Sequence, residues 1–174
     1  MINQELINYL HSAYPELLID INYIKGYSVD EIKKIERLYD IKVKGQLYDF
    51  LLCMGRCSGG FFGDDPLMFY RQNNGVRSHI LFQYSFCEDL CSLQQWELVK
   101  QKPFIFSFES ETQYFFLLTD SDNVDLVYHY DENQEMIKST NKTFYEYLRH
   151  SVSTDTRHYI KNMAFDYSGE LIIV

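Results

Sequence analysis

From Pro103 to Ile137 the chain has no lysine and no arginine. Eight acids stand there instead: Glu109, Glu111, Asp120, Asp122, Asp125, Asp131, Glu132 and Glu135. Of the formal charge of −9, −8 falls on this segment, so the remainder nearly balances. A protein that grips nucleic acid directly must neutralise phosphates with cations, and this distribution argues against that class. An acidic surface suits a basic partner, such as a protein that itself binds nucleic acid. The plainer alternative is a solvated face that keeps the chain soluble.

Other absences narrow the reading further. Apolar runs extend only a few residues, so no membrane span is expected. The start, "MINQELINYLHSAYPELLID", lacks the basic and apolar regions of a signal peptide. Four cysteines without such a leader read as free thiols in a reducing compartment, and the expected location is the cytoplasm. There are only three prolines, and no Gly/Ser-rich linker, low-complexity tract or fixed repeat. The 174 residues therefore read as one domain, 1–174, long enough to bury a proper core. What the chain has in plenty is aromatic residues, with 15 Tyr and 13 Phe. Tyrosine serves surfaces and interfaces as well as cores, which points towards recognition.

Periodicity sets the elements. "NQELINYLHSAY" places Leu6, Ile7, Leu10 and Tyr14 at helical spacing. "SVDEIKKIERLY" opens with a capping box, Ser28 and Glu31, and predicts an apolar side of Val29, Ile32, Ile35 and Leu38. "QLYDFLLCM" aligns Leu47, Phe50, Leu51 and Met54, with Gly55 where a left-handed cap belongs. A short strand is expected at 67–71, and a helix over 85–99 with Phe86, Leu90, Leu93 and Glu97 on one face. "FIFSF" (104–108), "QYFFLLT" (113–119) and "VDLVYHY" (124–130) read as strands joined by polar turns. "DENQ" (131–134) makes a further turn, and "KTFYEYLRHSV" is a helix with Phe144, Tyr147 and Leu148 inward. "GELIIV" is read as an edge strand. Helices, then an antiparallel meander, then a helix make an α+β fold.

The order of the helix "DEIKKIERLYDIKV", the helix "LYDFLLCM", the turn "SGG", the hairpin "YFFLLTDSDNVDLVYHYDEN" and the helix "TFYEYL" resembles the SUKH superfamily, the Smi/Knr type of domain. The resemblance spans residues 28–152 and rests on order and spacing more than on any signature residue. It implies a single α+β domain in which an antiparallel sheet is flanked by helices. It maps the family's glycine turn onto Ser58, Gly59 and Gly60, and an aspartate closing a strand onto Asp120. The aromatic of the following strand falls on Tyr128, and the pair in the closing helix on Phe144 and Leu148. Lys44-Gly45 stands where the family has Leu-Pro, and Ser58 where it has Asn. The resemblance implies an immunity protein that binds and neutralises a cognate polymorphic toxin, a nuclease or deaminase. The alternative it offers is a regulatory scaffold acting on host proteins, as in cell-wall assembly.

No catalytic group, cofactor or metal is expected. "GRCSGGFF" has glycine spacing like a phosphate loop, but lacks its lysine and follows a helix instead of a strand. Cys53/Cys57 and Cys87/Cys91 have spacing permitted for zinc, yet their apolar helical settings favour buried free thiols. "DSDNVD" (120–125) fails as a calcium loop, with Asp125 at the glycine position and Asp131 at the twelfth. His11, His79, His129, His150 and His158 are scattered, and His129 is assigned to the solvent side of its strand. The expected partner is a basic protein toxin, with neither nucleic acid nor membrane. The candidate partner-binding residues are Glu109, Glu111, Asp120, Asp122, Asp125, Asp131 and Glu132. Tyr128, Tyr130 and Phe62 are read as core packing before partner anchors.

Overall fold

The computed structural model describes residues 2–62, Leu67 and residues 76–154. Three helices come first: α1 (Gln4–His11), α2 (Val29–Tyr39) and α3 (Gly45–Met54). Two more follow, α4 (Val76–Ser92) and α5 (Trp96–Lys100). Strands β1 (Pro103–Ser110), β2 (Gln113–Leu118), β3 (Leu126–Asp131) and β4 (Met136–Thr143) then pair in sequence order as an antiparallel sheet. The helix α6 (Phe144–Thr154) closes the described chain. The α+β class with an antiparallel meander flanked by helices is as expected.

Alternation along the strands explains why the sheet is covered on both sides. In β2, Phe115 and Leu117 join a core cluster built from α1, α2, α3 and α6, while Tyr114, Phe116 and Leu118 join a second cluster that takes Phe86 and Leu90 of α4. Two covered faces require a nearly unbroken apolar run, which is what "QYFFLL" supplies. In β1 a register shift between Ile105 and Ser107 turns two consecutive residues to the first side. Phe106 packs edge-on to Phe144 and Tyr147, and Ser107 shares a 2.9 Å hydrogen bond with the Tyr147 hydroxyl.

Local signals account for the helix ends. The Ser28 hydroxyl accepts from Glu31 N, and Ser28 N donates to the Glu31 carboxylate at 2.7 Å. Thr143 and Glu146 repeat the device at the start of α6. At α3, Lys44 offers no side-chain cap, and Asp125 supplies one from 79 residues away by accepting Gln46 N at 2.8 Å. In the turn after α3, Gly59 has φ +69°, and a Cβ there would stand 2.6 Å from Asp20 O.

Several expectations are corrected. The buried side of α2 is Ile32, Ile35 and Tyr39, while Val29 and Leu38 are exposed. Gly55 is not a left-handed cap: its φ is −63°, and glycine is needed because a Cβ would lie 2.7 Å from the Tyr27 ring. The single helix expected over 85–99 is two, with α4 beginning at Val76 and Gln94, at φ +58°, separating it from α5. Phe86 and Leu90 are buried as expected, but Glu97 is largely exposed and paired with Lys100. Strand β4 was not foreseen, because none of its residues is fully buried and its polar sequence carries no apolar alternation. Of the strand expected at 67–71, only Leu67 is described, bridging Ser107. The strand expected at "GELIIV" lies outside the described residues.

Candidate protein-docking site

A four-strand meander places its first and third turns at one end and its second at the other. The turns after β1 and β3 therefore share an end, roughly 20 Å, or six residues of strand, from the β2–β3 connection. This divides the acids that are continuous in sequence. Glu109, Glu111, Asp131 and Glu132 gather at the shared turn end, and Asp120, Asp122 and Asp125 at the opposite one. The acids of one continuous sequence segment thus fall into two separate groups, because antiparallel folding alternates the direction of the chain.

At the β2–β3 end most of the charge is already employed. Asp120 lies 2.6 Å from the Lys42 ammonium and 3.8 Å from that of Lys44. The hydrogen bond from Lys42 holds its carboxyl below the ordinary aspartate pKa. Nearby, Lys102 pairs with Asp40 at 2.8 Å and has its own pKa raised by that bond. Asp125 is half-buried as the cap of α3, and Asp122 alone of the three is exposed.

The turn end is organised differently. The Tyr114 hydroxyl, 2.6 Å from Glu111 O and 3.0 Å from the Glu132 carboxylate, ties the two turns together. Glu132 N donates to Thr112 O at 2.9 Å, and the Asn133 amide donates to the Thr112 hydroxyl at 2.8 Å. The tertiary fold then brings α4 alongside, adding Glu88 and Asp89 to Glu132 and Glu135. Asp89 has its pKa raised by burial and by the charges of Glu132, Glu88 and Glu135, in that order. Tyr130, stacked on Tyr114 at 6.0 Å, is pushed up to about 12 by burial and then by the charges of Asp89, Glu132, Glu135 and Asp131. Among the described residues, Glu88, Asp89, Glu132 and Glu135 form no ion pair with a cation.

Two anchors hold α4 in this position. Phe86 lies 4.8 Å from the Phe116 ring and 5.4 Å from that of Tyr130, and Leu90 is fully buried. Each such side chain stabilises the packing by about 1.5–3 kcal/mol. The second anchor is polar and engages the edge of β1. Gln83 donates to Pro103 O and accepts Ile105 N at 3.0 Å, while His79 Nε2 donates to Ile105 O at 2.7 Å. His79 Nδ1 accepts from the Tyr39 hydroxyl at 3.1 Å, which fixes the neutral tautomer. Burial pushes the His79 pKa down to about 4. These bonds satisfy backbone groups that an edge strand otherwise leaves open.

With that side fixed, α4 turns a mixed face to solvent. Leu81 is 60% exposed and Tyr84 63%, and Phe82 is 39% exposed with its ring 5.5 Å from Phe108. The Tyr84 phenol is hydrogen-bonded to Glu88, which holds its pKa above the usual tyrosine value. None of these α4 residues was anticipated from sequence. The available signal was Glu88-Asp89 within an aromatic-rich stretch, and only folding sets Asp89 beside Glu132, 43 positions further on.

Other candidates fall elsewhere. Phe62 and Tyr130 are buried in the two clusters, as core packing requires, and Tyr128 is half-buried against Phe116. His129 is not on a solvent side: its ring lies 4.9 Å from Phe115, and burial followed by Lys138 lowers its pKa. Cys53 and Cys57 are buried, whereas Cys87 and Cys91 are half-buried on α4. Burial raises the pKa of Cys53 and Cys87, which keeps both as thiols. Among the described residues no group of three or more His, Cys, Asp or Glu is placed to hold a metal ion. No helix among them is long and apolar enough to cross a membrane. Set against models of known protein families, curated proteins and solved structures, the chain finds no match.

Proposed function

We propose that this chain is a binding module, an immunity protein that neutralises a basic protein toxin by direct contact. The observation that carries the reading is the turn end of the sheet, where Glu88, Asp89, Glu132 and Glu135 converge without a cation among the described residues. Like charges held together raise each other's cost, and a cationic partner relieves that cost on docking. The resemblance to the SUKH superfamily supplies the toxin class, a nuclease or deaminase, whose substrate-binding surface must itself be basic. Catalysis has no part in this reading, because neutralisation needs only a surface that covers the toxin.

Co-expression with toxins encoded beside this gene tests the reading directly. The expected result is restored growth, together with a complex whose association slows as salt rises. Failure to bind any neighbouring toxin overturns it. A pull-down enriching housekeeping proteins, with no toxin gene nearby, transfers the module to host scaffolding instead.

A further inference from the structure

Resting on the binding-module reading, we infer that the partner docks across the outward face of α4 and the adjoining turn end of the sheet. It does so through one amphipathic segment, whose Arg or Lys side chains meet Glu88, Asp89, Glu132 and Glu135 while an apolar side chain seats on Leu81, Phe82 and Tyr84.

Helical geometry sets the pattern. Leu81, Tyr84 and Glu88 stand at i, i+3 and i+7 on the outermost stripe, and Phe82, Ser85 and Asp89 form the adjacent stripe towards the sheet. The apolar residues occupy the N-terminal half and the acids the C-terminal half. With 1.5 Å of rise per residue, Tyr84 and Glu88 are about 6 Å apart along the axis, and Leu81 and Glu88 about 10 Å. One or two turns of a partner helix span that distance. Leu81, Phe82 and Tyr84 belong to neither core cluster, and α4 is already held by His79, Gln83, Phe86 and Leu90. Single exposed apolar side chains are ordinary, but three within four residues beside clustered acids make a composite surface.

Charge selects the occupant. An anionic membrane or a nucleic acid is repelled by four neighbouring carboxylates. A second copy docking face to face would set these acids against themselves, since a two-fold interface pairs a surface with its own duplicate. A basic amphipathic protein segment satisfies both halves: cations speed the encounter, and the aromatic contact supplies most of the affinity.

The test uses the purified full chain and two synthetic helical peptides of equal net charge, one alternating Arg with Leu faces and one with Ser in place of Leu. Fluorescence anisotropy should show the Arg/Leu peptide binding about tenfold more tightly. Leu81→Ser with Tyr84→Ala should abolish that advantage, bringing the two peptides to equal affinity. Ser85→Arg, an exposed change that removes no packing, should weaken both peptides. Asp89→Asn with Glu132→Gln should weaken both and flatten their salt dependence. Equal binding of the two peptides, or an undiminished advantage in the Leu81/Tyr84 variant, overturns the inference. A dimer that dissociates in the Leu81→Ser variant assigns the face to a second copy and overturns it too. Loss of toxin rescue with peptide binding intact removes only the immunity role, and rescue unaffected by these variants removes only this site.

Discussion

Asp120 and Asp89 are the same residue type at opposite ends of one small sheet, and the fold moves their pKa values in opposite directions. At the β2–β3 end Lys42 donates to Asp120 and lowers its pKa, and Asp125 is committed to the start of α3. At the turn end Asp89 is half-buried among Glu132, Glu88 and Glu135, and its pKa rises. One end uses carboxylates to hold the fold together; the other crowds them against one another with no cation paired to them among the described residues. Sites adapted to bind commonly carry unfavourable local electrostatics, and the contrast sets acids held by lysines at one end against acids crowded by one another at the other.

Experiments can sharpen or break that contrast, and the largest effect belongs to neither end. His79 is neutral and buried with a pKa near 4, against 6.5 for its ordinary value. The unfolded chain takes up the proton first, so stability falls as pH drops from about 6.5 towards 4, by of the order of 3 kcal/mol. Urea titrations across this window should show the loss, and a His79→Gln variant should show much less pH dependence there. The two ends are therefore best compared above pH 6.5.

There, Asp125→Ala should cost about 1–2 kcal/mol through loss of the α3 cap, read as a lower urea midpoint with unchanged slope. An unchanged midpoint would show that Asp125 is not a structural acid. Asp89→Asn should give a smaller change of the opposite sign. Its raised folded pKa means the charge opposes folding at neutral pH, so the substitution stabilises there, and the gain should vanish once acid protonates the carboxyl in both states. The smallest effect is expected for Asp120→Asn, a slight loss that disappears in about 1 M salt, where the screening length is about 3 Å. If Asp89→Asn destabilises at neutral pH, the turn end is structural after all.

The helices and central strands were legible because each is written in one periodicity. Leu47, Phe50, Leu51 and Met54 of α3, and Phe144, Tyr147 and Leu148 of α6, are buried as their spacing predicts. Strand β4 was illegible because "MIKSTNKT" lies at an edge, where burial does not select apolar residues. The first half of α4 was equally obscure, since Leu81, Phe82 and Tyr84 face solvent while two of the buried positions, His79 and Gln83, are polar. An exposed face written in apolar residues confuses the rule that locates cores. Half of the candidate site was visible, in Glu132 and its neighbours, and the half on α4 was not.

The sequence by itself determined the α+β class, the caps of α2 and α6, and a local excess of negative charge. All of these depend on neighbours within a few residues. Which acids share a surface was decided only by the tertiary structure. The meander alternates direction at each turn and so separates Asp120 from Glu132, while the packing of Phe86 and Leu90 carries Glu88 and Asp89 across to Glu132 and Glu135. Electrostatic energy depends on distance through space, and distance along the chain does not report it.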